Sequence, residues 1–176
     1  TNTITDDQIL VSATVPQAFS FALSGNSDAL GTLSSSSVSA SPTPRTVTIN
    51  TNAKLGWQVW ARDANTGLNS ASAAHTIAST TPGTNSVLSA GTEGYNTGLT
   101  SSQAGGTGTI AIPAAFVGGS LGRGGGLDTT LRTIATSNGT AQNAVLTINN
   151  NVAISSLTSA AADYSDTITI VGAGLF

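Results

Sequence analysis

Cysteine and methionine are both absent from the 176 residues. Without thiols there is no disulfide, no thiolate zinc site and no cysteine nucleophile. Charge is almost as scarce. Only 7% of the residues are Asp, Glu, Lys or Arg, against about 25% in ordinary soluble domains. The five cations, Arg45, Lys54, Arg62, Arg123 and Arg132, are scattered. They cannot neutralise a phosphate backbone, which excludes nucleic acid as a partner. No apolar run is long enough to span a bilayer as a helix. His75 is the only histidine, and a metal site or a triad needs further ligands or a partner base. No Gly-x-Ser-x-Gly elbow occurs, so the many serines reflect composition and not a nucleophile. Taken together, these absences predict a protein that is not an enzyme and uses no metal or cofactor.

Hydroxyl groups fill the space that charge leaves. Ser and Thr account for 51 residues and Gly for 20, while 39% of the chain is hydrophobic and the net charge is −3. Disordered chains are usually highly charged and poor in branched apolar residues. This composition instead predicts a folded chain with a neutral, hydroxyl-covered surface and one core. Scarce Lys and Glu beside abundant Ser, Thr, Asn and Gly predict a secreted or cell-surface protein whose signal peptide has been removed.

Helical periodicity is almost absent, and period-two alternation of β-branched residues recurs. Ile9, Val11, Ala13 and Val15 share one face of a candidate strand that Pro16 ends. Phe19, Phe21 and Leu23 alternate next, and residues 34–44 read as a Ser- and Pro-rich loop. Val47 and Ile49 share a face, with Thr46, Thr48 and Asn50 opposite. Residues 51–54 read as a hairpin connection, after which Leu55, Trp57 and Val59 share a core face. Short strands are expected near 76–78, 94–99 and 110–112, with residues 101–108 a loop. Residues 118–126 hold six glycines, which suit neither a helix nor an ordinary strand interior. Strands at 127–136, 144–148 and 166–171 complete the series. Short strands separated by turn signals predict an all-β fold, a β-sandwich or jelly roll with Greek-key connections. Residues 1–176 form a single domain in this reading, with residues 1–15 as a donor-strand extension.

Several residues carry functional alternatives. Trp57 and Trp60, three apart, cannot share a face of one regular strand. Trp57 is assigned to the core, and Trp60, with Tyr95, is a candidate surface contact for a neighbouring subunit or a sugar. A bulge that buries both tryptophans is the alternative. Asn138-Gly139-Thr140 reads first as a hairpin turn, Asn-Gly being a type I′ signal, and also fits the N-glycosylation pattern at Asn138. The segment from Asp63 to Gly67 imitates the start of a calcium loop but lacks its later Glu, and Asp6-Asp7 is a second such corner; both are read as plain Asx turns, with ion binding the alternative.

The block Ala162-Asp163-Tyr164-Ser165-Asp166-Thr167-Ile168-Thr169-Ile170 resembles the closing strand of secreted bacterial β-sandwich proteins, the spore-coat-U-like and related pilin-type subunits. Those end on a small residue, Tyr-x-Asp-Thr and then alternating β-branched residues. The segment from Thr46 to Asn52, followed by Gly56-Trp57-Gln58-Val59, is similar to an Asn-containing step before a Gly-Trp strand in cell-surface β domains. The segment from Ser89 to Tyr95 is similar to repeats in surface proteins of small-genome bacteria. The pilin pattern's cysteine pair is missing here. The resemblance implies an exported surface or fibre protein and carries over no catalytic residue.

Sheet edges are normally blunted by charge, and this chain has little to spend on them. The expectation is therefore a structural subunit of an extracellular, pilus-like filament, a homopolymer in which Ile9, Val11, Ala13 and Val15 are donated to another copy. A head-to-tail contact of that kind does not close. The alternatives are a monomeric adhesin that binds cell-surface glycans through Trp60 and Tyr95, and a viral capsid or tail protein.

Overall fold

The alternating runs become two packed sheets. The computed structural model describes residues 8–176. In chain order the strands are β1 (Phe19–Leu23), β2 (Ser39–Ala40), β3 (Arg45–Thr51), β4 (Trp57–Asp63), β5 (Gly67–Ser70), β6 (His75–Ala78) and β7 (Asn85–Val87). They continue with β8 (Gly94–Gly105), β9 (Ile110–Ala111), β10 (Arg123–Gly125), β11 (Arg132–Ser137), β12 (Ala141–Ala153) and β13 (Ile168–Gly174). One sheet runs β1-β3-β12-β8-β10-β7, with β2 also on β12. The second runs β13-β4-β11-β9, and β5 pairs with β6 as a separate hairpin. The ladders between these strands are antiparallel, and the fold is an all-β sandwich.

Side-chain parity explains the core. Val47, Ile49 and Thr51 of β3 point inward, as do Trp57, Val59, Ala61 and Asp63 of β4. The same core takes Leu146 and Ile148 of β12, beside β3, and Ile134 of β11, beside β4. Each buried Val, Leu or Ile among them contributes about 1.5–3 kcal/mol, whereas burying Asp63 costs free energy. A smaller cluster of Leu68, Ile77, Tyr95 and Val152 lies under the β5–β6 hairpin. β12 is the spine: it pairs with β8 from Gln142↔Gly105 to Ala153↔Gly94, and with β3 on its other side. Pro42 and Pro44, which lack an N–H, separate β2 from β3 along that side.

The glycine run has a packing reason. A Cβ on Gly98 would fall 2.2 Å from the Arg123 carbonyl oxygen, so β8 and β10 approach more closely than side chains allow. The run therefore supplies a strand, β10, as well as turns.

Other sequence expectations shift. Residues 51–54 and Asn138-Gly139 are not hairpin turns, because the strands they join belong to different sheets. Both segments cross the sandwich, and Asn138 Oδ1 accepts the Thr109 N–H at 2.8 Å. Leu55 is 62% exposed, in the turn before β4 and outside the core. Most of the expected loop at 101–108 is strand, since β8 runs to Gly105. The strand expected from residue 127 begins only at Arg132, because Asp128 accepts the Thr130 N–H and pairs with Arg132, which makes a turn. A bulge between Thr133 and Ala135 then buries Ile134 and Ala135 together. No helix among the described residues is long and apolar enough to cross a membrane.

Candidate functional site

The two lateral sides of the sandwich differ. On one side the outermost strands are the three-residue β7 and the two-residue β9, the latter followed within two residues by Pro113. Short strands and proline are common means of blunting an edge. The other side is bounded by β1 and β13. Among the described residues β1 ladders only with β3, and β13 only with β4. Neither Phe19–Leu23 nor Ile168–Gly174 contains a charge or a proline.

A groove opens along this side. At one end the sheets touch, because Phe19 and Phe21 lie against Gly174 and Gly172. Beyond Leu23 strand β1 stops, and the space between the sheets widens to a cavity of about 540 Å³ lined by Leu23, Leu30, Tyr95, Ile148, Ile168 and Ile170. Residues 24–33 form one wall. Asp28 pins that wall by accepting from Asn150 Nδ2 at 2.9 Å and from the Ser41 hydroxyl.

Asp166 lines one end of the cavity, and Asp63 is its neighbour. Asp63 is fully buried, and its Oδ2 accepts from Ser79 Oγ at 3.2 Å. Asp166 Oδ1 accepts the Asn65 N–H at 3.3 Å. Asp63 Oδ1 and Asp166 Oδ2 are both buried without a hydrogen-bond partner. Burial, and then the neighbouring Asp166 carboxylate, push the Asp63 carboxyl up to about 8. Burial likewise raises the Tyr95 hydroxyl well above its ordinary value, with the Asp63 charge adding to the effect.

Residues 8–18 carry no strand, and all are exposed. Ile9, Val11 and Val15 are 80–88% exposed, and Leu10 93%. Ile9, Val11, Ala13 and Val15 are thus not a strand of their own sheet. Among the described residues the segment is anchored only at its base, where Asn52 Nδ2 donates to Pro16 O and Asn52 Oδ1 accepts the Ala18 N–H, both at 2.8 Å. Asp6 and Asp7, and the part of the expected extension before residue 8, lie outside the described residues.

The other singled-out residues do not come together. Trp57 is fully buried, while Trp60 is half-buried on the outer face of a regular β4, opposite Val171 and Thr133. Tyr95, expected at the surface, is only 4% exposed, because β8 turns it into the second cluster against Leu68 and Ile77. It cannot form a sugar platform with Trp60. Asn138 is exposed. His75 does have an acidic neighbour: its Nε2 lies 3.1 Å from both Glu93 carboxylate oxygens, and Thr158 Oγ1 donates to Glu93. This cluster ties β6, the entry to β8 and the turn after β12 together. The Asp63 to Gly67 segment links β4 to β5, and among the described residues no group of three His, Asp or Glu is placed to hold a metal.

The acidic pair and the groove escaped the sequence reading because their parts are remote in sequence. Asp63 and Asp166 are brought together only by the β4–β13 register. No family model, curated protein or solved structure matches the chain.

Proposed function

We propose that this protein is the structural subunit of an extracellular, pilus-like homopolymer, in which residues 9–15 of one copy add as a strand to the open β1/β13 side of the next. One observation carries the reading: an alternating apolar segment stands exposed and unladdered beside a sandwich whose nearest edges are bare of charge and proline. Ile9 to Val15 is seven residues, the length of β13. Main-chain bonds would supply affinity, and the alternating side chains would fix register. Burying Ile9, Val11 and Val15 contributes on the order of 5 kcal/mol at about 25 cal/mol per Å². The giving segment and the receiving side are different surfaces of one chain, so the contact repeats without closing. The hydroxyl-rich, charge-poor composition supports placement outside the cell.

The test is sedimentation and electron microscopy of the full chain beside Val11→Asp. Filaments from the parent and monomers from the variant are expected. A parent chain that stays monomeric at high concentration overturns the reading.

A further inference from the structure

The groove ends on an arrangement that the filament reading does not use. Asp63 pairs with Ile168 across the β4–β13 ladder, so the two side chains share the inward face. The ladder continues past β13, with the Ala64 N–H donating to Thr167 O at 2.9 Å. Asp166, two residues before Ile168, therefore points to the same face. Both carboxylates lie at the start of the strand whose Ile168 and Ile170 line the groove.

The surroundings decide what the two bare oxygens hold. Asp128 acts on Asp63 from the segment before β11, but its charge is taken by Arg132, with Nε 3.0 Å from Oδ1. Tyr95 of β8 is raised by burial and then by the charges of Asp63, Asp166 and Asp28, so its hydroxyl stays un-ionised. Ser79 contributes one hydroxyl from the segment after β6. Among the described residues no Lys, Arg or His forms an ion pair with either carboxylate, and no third free carboxylate completes a metal cluster. Asp63 is buried and Asp166 half-buried, and two neighbouring carboxylate oxygens shut off from water favour one proton between them over two unpaired charges.

We propose that Asp63 and Asp166 share one proton between their bare oxygens, latching the start of β13 to the end of β4, so that acid favours and alkali weakens strand acceptance at the groove. The regulatory half rests on the filament reading; the shared proton does not. Loss of the proton sets two charges against each other at the first turn of the receiving strand.

The two halves are tested separately. The full chain carrying Val11→Asp, a monomer in this account, is unfolded by denaturant between about pH 5 and about pH 8. Its unfolding equilibrium constant should rise with pH by up to about tenfold per unit. Adding Asp166→Asn should flatten that slope, because an amide can still donate to Asp63 but does not titrate. Aspartate carboxyl-carbon shifts of the Val11→Asp chain, read by NMR, should show one carboxyl still protonated near neutrality, which tests the pair even if Asp166→Asn folds poorly. An unchanged slope in Asp166→Asn, or no protonated carboxyl, overturns the shared proton. So does stabilisation by millimolar calcium that Asp166→Asn abolishes, which would make the pair a cation site. For the parent chain, the concentration needed for polymer should rise with pH, and Asp166→Asn should lessen the dependence. A pH-independent polymer overturns the link to the groove. A chain that never polymerises, yet keeps the slope, overturns the filament reading and supports the shared proton.

Discussion

Gly172 of β13 lies against Phe21 of β1 so closely that a Cβ at position 172 would fall 2.4 Å from Phe21 Cδ2. This contact seals one end of the open side and sets where the groove begins. Gly172→Val is expected to push the two edge strands apart and destabilise the fold by about 1–3 kcal/mol, the usual range for overpacking. Denaturant unfolding measures it. No loss of stability would mean that the two sheets are not in contact there.

Asn52 fixes the point at which the exposed segment leaves the sandwich. Asn52→Ala removes its bonds to Pro16 and Ala18, each worth about 0.5–1.5 kcal/mol net. The expected result is a small drop in global stability with faster amide exchange at Ala18, read by NMR, and weaker assembly. Equal exchange in parent and variant contradicts the anchoring role.

The two tryptophans separate core from surface. Trp57→Ala is expected to cost about 3–5 kcal/mol, as large buried aromatics do, and Trp60→Ala clearly less, because Trp60 is half-buried on the outer face. Equal costs in denaturant unfolding would place both in the core.

Acid stability has its own source. Hydrogen bonds from Ser70 and Ser72 hold the Asp163 carboxyl well below the usual carboxylate range. A depressed pKa gives stability that is present above the unfolded value of about 3.9 and is lost as pH falls. Asp63 works in the opposite sense: its carboxyl is raised to about 8, so its contribution is full below about 3.9 and fades as pH rises toward that raised value. Stability should therefore be greatest in mild acid. Asp163→Asn should remove part of the acid-side loss and leave the alkaline side unchanged, as thermal unfolding across pH would show.

Local alternation made part of this architecture legible. Val47 and Ile49, Trp57 and Val59, and the strands at residues 144–148 and 166–171 follow from period two alone, because each faces one core. Sheet membership was not legible. The turns at 51–54 and 138–140 have hairpin chemistry, yet each passes between sheets, since a turn sequence sets a local bend and not the partner of the next strand. Leu55 fits the alternation of β4, but Gly56, at φ +94°, breaks the strand's parity between it and Trp57. Tyr95 looked like a surface aromatic because its partners Leu68, Ile77 and Val152 are remote in the chain. The groove is assembled from six separate stretches and had no sequence signature. The donor alternation did, in Ile9, Val11, Ala13 and Val15.

Hydrogen exchange on assembled material, compared with the Val11→Asp monomer, tests strand donation most directly. The account predicts that amides of residues 9–15 and of the β1/β13 edges become protected together on assembly, because their N–H groups enter one ladder. Assembled chains in which residues 9–15 still exchange as fast as in the monomer would contradict it.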